Sequence, residues 1–291
     1  MANIITSNTS KEEHLVKSAI QKLSSEKDLA VDDLIEQCKA IKLECSKGLA
    51  EKMLATKEGA YDTLVDISVD EEKPWEARNE ALSALAALLD TNPDPFDQRG
   101  FQAIMLGLSC DDAIKNSLEL ALCVCVRHEQ NRQNLVRNNI LDHLDKLFEN
   151  HPIEVARIWQ ALVQDDDVRV PYGKAHENAR GIVEDHQGLQ KLCSKIGSTE
   201  NIHDLALLLS CLSSLTVRNE YCQLVADRGL SELFALLAKP DQSSIVLKEV
   251  LVMLKALAGN DNVKKDINVS KKLPLIVSTI TAHLVKALYF I

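Results

Sequence analysis

Aromatic residues make up only 4% of this 291-residue chain, and glycine and proline number just 10 and 7. That scarcity excludes a β sandwich or barrel, whose many short strands need frequent turn residues and draw on aromatic side chains. Long apolar runs are missing too. The longest uncharged stretches, residues 205–217 and 273–285, are too short to span a bilayer, and the first nine residues carry neither a basic leader nor an apolar stretch. No membrane partner is expected. Basic charge is also short, with 33 Lys and Arg against 43 Asp and Glu and a net charge of -10, which repels phosphate backbones and argues against nucleic-acid binding. No Gly-rich phosphate loop and no Gly-x-Ser-x-Gly elbow occurs, so the commonest signatures of phosphate and acyl chemistry are absent.

Cysteine is plentiful, but its placement does not suggest a disulfide framework. Cys38, Cys45, Cys110, Cys123, Cys125, Cys193, Cys211 and Cys222 all lie inside apolar, helix-like runs, where they act as small hydrophobes. A reducing compartment, the cytoplasm and also the nucleus, is the expected location.

What is abundant is Leu, Ala, Lys and Glu, the residues of helices. They carry a repeat in which a Gly or polar residue precedes an apolar anchor, followed three residues later by a second anchor. The pairs are Tyr61 and Leu64, Phe101 and Ile104, Leu141 and Leu144, Leu189 and Leu192, Leu230 and Leu233, and Leu273 and Ile276. Successive first anchors lie 40, 40, 48, 41 and 43 residues apart, the range of helical armadillo or HEAT units. Within one unit the pattern predicts a short helix over 130–138, a second over 141–149 and a third over 153–164, with Pro152 in the first turn of the third. Three helices per unit favour armadillo repeats. Gly100, Gly188 and Gly229 are placed where second helices begin, and Pro240 between helices.

The fold expected is all-α, an armadillo-type right-handed α-solenoid or α-α superhelix. Residues 1–43 form an N-terminal helical cap, with Ser10 and Glu13 as a capping box and a further helix over Val31–Ile41. Residues 44–291 hold about five complete repeats and a partial last one. With a sixth repeat that has scarcely a third helix and an apolar end, the chain reads as a shortened form of a longer solenoid. Aligning the third helices on Leu85, Leu122, Leu162, Leu212 and Leu254 leaves one gap about eight residues too long, which predicts a protruding loop over 165–176.

Residues 127–136, Arg-His-Glu-Gln-Asn-Arg-Gln-Asn-Leu-Val, the aspartate-rich phrase 165–176, and the segments 217–223 and 258–264 resemble the armadillo-repeat family, over roughly residues 59 to 284. The resemblance implies a longer solenoid, a non-enzymatic role, and a concave column of third-helix residues that grips a partner. On the alignment above the column pairs Leu82 with Ala86, Glu119 with Cys123, Trp159 with Val163, Leu209 with Ser213, and Leu251 with Lys255. Import receptors of this class place Trp and Asn there repeatedly, whereas this chain offers Trp159 alone. A one-rung ladder argues against a basic localisation peptide, and packing is the commoner use of such a Trp.

The expected function is therefore a protein-interaction scaffold. Candidate partner-binding residues are Glu119, Trp159, Asp165, Asp166, Asp167, Arg169, His176 and Lys255; a cargo adaptor for nuclear transport and an inactive solenoid fragment are the alternatives. Partners are other proteins, including ones with basic segments, because residues 60–119 hold thirteen acidic side chains against Lys73, Arg78, Arg99 and Lys115. No catalytic residue, metal site or cofactor is expected. His128-Glu129 and His176-Glu177 are followed by Arg132 and Arg180 where a zinc protease needs a second His. Cys123 and Cys125 diverge by about 200 degrees around a helix and cannot share an ion. Asp165 to Asp167 lack the later Gly and Glu of a calcium loop.

Overall fold

In the computed structural model the described residues are 15–25, 29–90, 96–126, 129–164, 174–239, 241–270 and 272–289. Every regular element among them is helical. In chain order they are α1 (residues 15–25), α2 (Val31–Cys45), α3 (Leu49–Lys57), α4 (Ala60–Val69), α5 (Trp75–Leu89), α6 (Gln98–Leu108), α7 (Ile114–Val126), α8 (Glu129–Arg137) and α9 (Ile140–Leu147). Then come α10 (Pro152–Leu162), α11 (Lys174–Arg180), a π-helical turn over Gly181–Asp185, α12 (Gly188–Ser198), α13 (Ile202–Leu215), α14 (Asn219–Ala238), α15 (Ser244–Leu257), α16 (Asp261–Val269) and α17 (Leu273–Tyr289). Contacts divide the chain into two units, residues 1–143 and 144–291, and the division falls inside α9.

The helix starts follow from local chemistry. Asp97, Asn201, Ser243 and Asn260 each accept hydrogen bonds from backbone N–H groups of the first turn of α6, α13, α15 and α16, donors that a helix start otherwise leaves unpaired. Pro152 opens α10 at a position that needs no N–H bond. The residue just before three of the second helices sits in the left-handed region: Gly59 at φ 89 before α4, Asn139 at φ 62 before α9, and Gln187 at φ 55 before α12. Each reverses the chain between the first and second helix of a repeat, two residues ahead of Tyr61, Leu141 and Leu189.

In the fifth repeat this reversal does not occur. Gly229, expected at a helix start, lies within the continuous α14, and a Cβ there would stand 3.0 Å from Cys193 Sγ. Its role is close packing against α12. Gly100 is likewise hemmed in, with Phe96 and the Tyr61 hydroxyl 2.8 Å from where its Cβ would be. Pro240, Ser10 and Glu13 lie outside the described residues.

Within the first unit the third-type helices lie side by side, α2 on α5 and α5 on α7, while α4 packs on both α5 and α6. Thus α2, expected as part of a cap, packs on α5 as α5 does on α7, burying Leu34, Cys38, Ile41 and Cys45. In the second unit α10 packs on α13 and α13 on α15, with α12 against α14. The anchors supply the core: Tyr61, Leu64, Phe101, Ile104, Leu141, Leu144, Leu189, Leu192 and Leu233 are all buried. Two pairs depart from the pattern: Leu230 is half-buried, and in the last pair Leu273 is exposed and Ile276 half-buried.

Buried polar side chains of the first helices finish the helices that precede them. Arg132 on α8 donates through Nη1 to the Cys125 carbonyl at 3.0 Å, and Asn178 on α11 donates to the Leu162 carbonyl at 2.8 Å. Both carbonyls belong to the last turn of a third helix, where no intrahelical donor remains. Arg78 does the same inside the first repeat, reaching the Ser68 carbonyl at 3.0 Å while lying over the Trp75 ring at 3.8 Å.

Candidate partner-binding surface

The solvent-facing side of the third helices is set by what they bury. In α5 every residue from 81 to 86 is buried, followed by Leu88 and Leu89; in α7 the buried neighbours are Ser117 and Leu118, Leu120 and Ala121, Val124 and Cys125. In α10 they are Val155 and Ala156, then Ile158 and Trp159, and in α13 Leu205 and Ala206, then Leu208 and Leu209. Leu85, Ala121, Trp159 and Leu209 are all core positions. Leu122, used to align the third helices, is only half-buried.

Trp159, a candidate partner-binding residue in the sequence, therefore lies inside the core. It is 0% exposed, and its ring stacks on Phe148 with centroids 5.1 Å apart and planes 12° from parallel. Its indole N–H is buried with no hydrogen-bond partner, a cost outweighed by the apolar area of so large a side chain. Glu119 on α7 and Arg157 on α10, two positions before Trp159, are both exposed. Sequence alignment misses Arg157 because Trp159 draws the register toward an import-type column. The signal that locates it is the adjacent apolar pair Ile158-Trp159, which marks both as buried.

Lys255 is exposed in the last turn of α15. His176 is half-buried on α11, so residues 174–176, expected at the end of a loop, begin a helix. Asp165, Asp166, Asp167 and Arg169 lie outside the described residues, as does His128.

Polar side chains bridge successive third helices. Asn116 donates to the Asn79 side-chain oxygen at 2.8 Å, Asn79 donates to the Asp112 carbonyl at 3.0 Å, and Gln160 donates to Ser210 Oγ at 2.9 Å.

Acidic charge gathers around α4 and α6. Arg99 binds three carboxylates at once, Asp62, Asp66 at 2.9 Å and Asp97 at 2.9 Å. The Tyr61 hydroxyl donates to Asp97 Oδ1 at 2.9 Å and accepts from the Asp97 N–H at 3.0 Å. Burial works to raise the Asp97 pKa, but the Tyr61 hydroxyl, the Gly100 amide and Arg99 together hold it below the ordinary value. Of the four basic residues counted in this stretch, Arg78 of α5 is buried with its guanidinium at the end of α4, and Arg99 is engaged with three of the acidic side chains.

Among the described residues no group of three or more His, Cys, Asp or Glu is placed to hold a metal, and no helix is long and apolar enough to cross a membrane. The cysteines are free. Burial pushes the thiols of Cys38 and Cys125 up to about 12 and that of Cys193 to about 11, which suppresses the nucleophilic thiolate.

Solved structures decide the architecture. A designed armadillo repeat protein superposes with a TM-score of 0.66 at 17% identity, over 83% of this chain and 99% of its own. The fold is an armadillo-repeat solenoid. A second designed armadillo repeat protein, solved in complex with the peptide (KR)4, gives a TM-score of 0.67 at 18% identity, covering 83% of this chain and 99% of that one. UNC-45 from Drosophila melanogaster shares the architecture with a TM-score of 0.63 at 17% identity, over 87% of this chain and 32% of its own.

In sequence this armadillo chain is similar to armadillo repeat-containing protein 6. The human protein is 34% identical over 269 residues, and the Pongo abelii protein 33% over 269, each alignment covering 83% of this chain and 52% of the relative. The Drosophila melanogaster homolog is 30% identical over 264 residues, covering 86% of this chain and 56% of the relative. The chain thus spans about half the length of the curated relatives it matches. No family model matches it.

Proposed function

We propose that this chain is a non-enzymatic protein-interaction scaffold that holds a partner segment across its third-helix surface. The observation that carries this reading is the exposure of charged side chains of opposite sign on third helices, Glu119 on α7 and Arg157 on α10, where an aromatic ladder is lacking. Recognition there is by charge matching, with Lys255 further along and the segment 165–176, bearing Asp165, Asp166, Asp167, Arg169 and His176, as an additional contact. The peptide-bound designed armadillo protein supports this use of the architecture. Burial of Trp159 speaks against nuclear cargo transport, because the one rung suited to stacking on a lysine stem is inside the core.

The test is a photo-crosslinking amino acid placed in the full chain at Glu119, at Arg157 and, as a control, at the exposed Gln102 of α6. The scaffold reading expects the same protein captured from cells at Glu119 and Arg157 and not at Gln102. Equal capture at all three sites, or capture at Gln102 alone, overturns it.

A further inference from the structure

A cleft of about 640 Å³ opens among α1, α2 and α4, away from the third-helix positions discussed above. Its floor is apolar, with Leu34 and Ile67 buried and Leu23 half-buried. Ser24 Oγ and Thr63 Oγ1, 3.3 Å apart, bridge α1 to α4 at its wall. Asp62 and Asp66 lie one turn apart on α4, Asp70 is the residue that caps its C-terminus, and Glu72 adds a further carboxylate. Like charges one helical turn apart repel. Arg99 relieves Asp62 and Asp66, and Lys73 lines the cleft beside Asp70 and Glu72. Asp70 Oδ1 accepts the Glu72 N–H at 3.0 Å, which fixes the two carboxylates at the same end of the cleft.

An apolar floor rimmed by four carboxylates, with Lys73 the one cation among the described lining residues, matches one kind of side chain, a long aliphatic stem tipped with a cation. We propose that this cleft is a docking site for an extended peptide segment rich in Lys or Arg. The methylene stems lie on Leu23, Leu34 and Ile67 and the charged heads reach Asp70 and Glu72. The inference rests on the chain being a protein-binding module but assigns a second surface, distinct from the third helices.

The experiment is a fluorescence-anisotropy titration of the whole chain with a labelled octapeptide of alternating Lys and Arg at near-physiological salt. The double variant Asp70→Asn, Glu72→Gln is expected to weaken binding about tenfold. Thr63→Lys keeps every carboxylate but fills the cleft with a cation, and is expected to do the same. A charge-matched double variant elsewhere, Glu154→Gln with Asp266→Asn, is expected to leave binding unchanged, and circular dichroism melts confirm that each variant folds. Loss on Glu119→Gln with no change in the two cleft variants assigns the peptide to the third helices and overturns the cleft alone. Equal weakening in all variants reports unspecific charge attraction and overturns it too, as does absence of binding by the unmodified chain.

Discussion

The rings of Phe148 and Trp159 lie nearly parallel at a centroid distance of 5.1 Å, both fully buried, and join the end of a second helix to the middle of a third. Truncating Trp159 removes this stack and opens a cavity the size of an indole. Trp159→Ala is expected to cost about 3–5 kcal/mol in urea unfolding, while Trp159→Phe, which keeps an aromatic ring and removes the unpaired N–H, should cost far less. An unchanged midpoint for the alanine variant would place the ring outside the core.

Asn178 is a buried side chain whose amide completes the last turn of α10. Asn178→Ala leaves the Leu162 carbonyl unpaired away from water, and a loss of about 1–3 kcal/mol is expected. Asn178→Asp replaces the donor by a buried carboxylate and should be worse at pH 7 than at pH 4, where protonation restores a donor. Chemical denaturation at the two pH values checks both statements.

The left-handed hinges respond in opposite senses to substitution. Gly59 has φ 89 and nothing within 4 Å of where a Cβ would stand, so Gly59→Ala carries backbone strain alone, about 1–2 kcal/mol. Gln187 already bears that strain at φ 55, and Gln187→Gly is expected to be neutral or stabilising by up to about 1 kcal/mol. Thermal melts of the two variants check this: the midpoint should fall for Gly59→Ala and hold or rise for Gln187→Gly.

The Tyr61–Asp97 pair ties stability to pH at both extremes. Asp97 has a folded pKa below its ordinary value of 3.8, so its contribution is present above that value and is lost as pH falls through the lower folded pKa. Burial raises the Tyr61 pKa above its ordinary 10.0, so that contribution is present below pH 10.0 and is lost as pH rises through the higher folded pKa. Relative to the unmodified chain, Asp97→Asn should flatten the acid limb of a stability-versus-pH curve and Tyr61→Phe the alkaline limb. Curves that keep both limbs in both variants would show that the pair does not couple to folding.

The anchor phrase is legible in sequence because each anchor is a local signal, an apolar residue one turn from another and preceded by a reversal. The reversal itself is half legible. Gly59 announces a left-handed residue, but Asn139 and Gln187 adopt that conformation because helices on both sides of them are held by packing. The same packing keeps α14 continuous through Gly229, where local propensity suggests a break.

The binding surface is less legible. Glu119 is exposed and Trp159 fully buried although alignment on the repeat pairs them, because each residue of slip turns a helix side chain through about 100 degrees. Sequence by itself determined that this chain is helical, that its repeat is about 40 residues long, and most of the anchors that meet in the core, since those follow from propensity and periodicity along the chain. Only the tertiary structure decided which third-helix residues face solvent, that Arg78 and Arg99 are already engaged, and that α1, α2 and α4 enclose an acidic cleft. Each of those depends on which side chains from distant repeats come within a few ångströms, a relation that no single stretch of sequence contains.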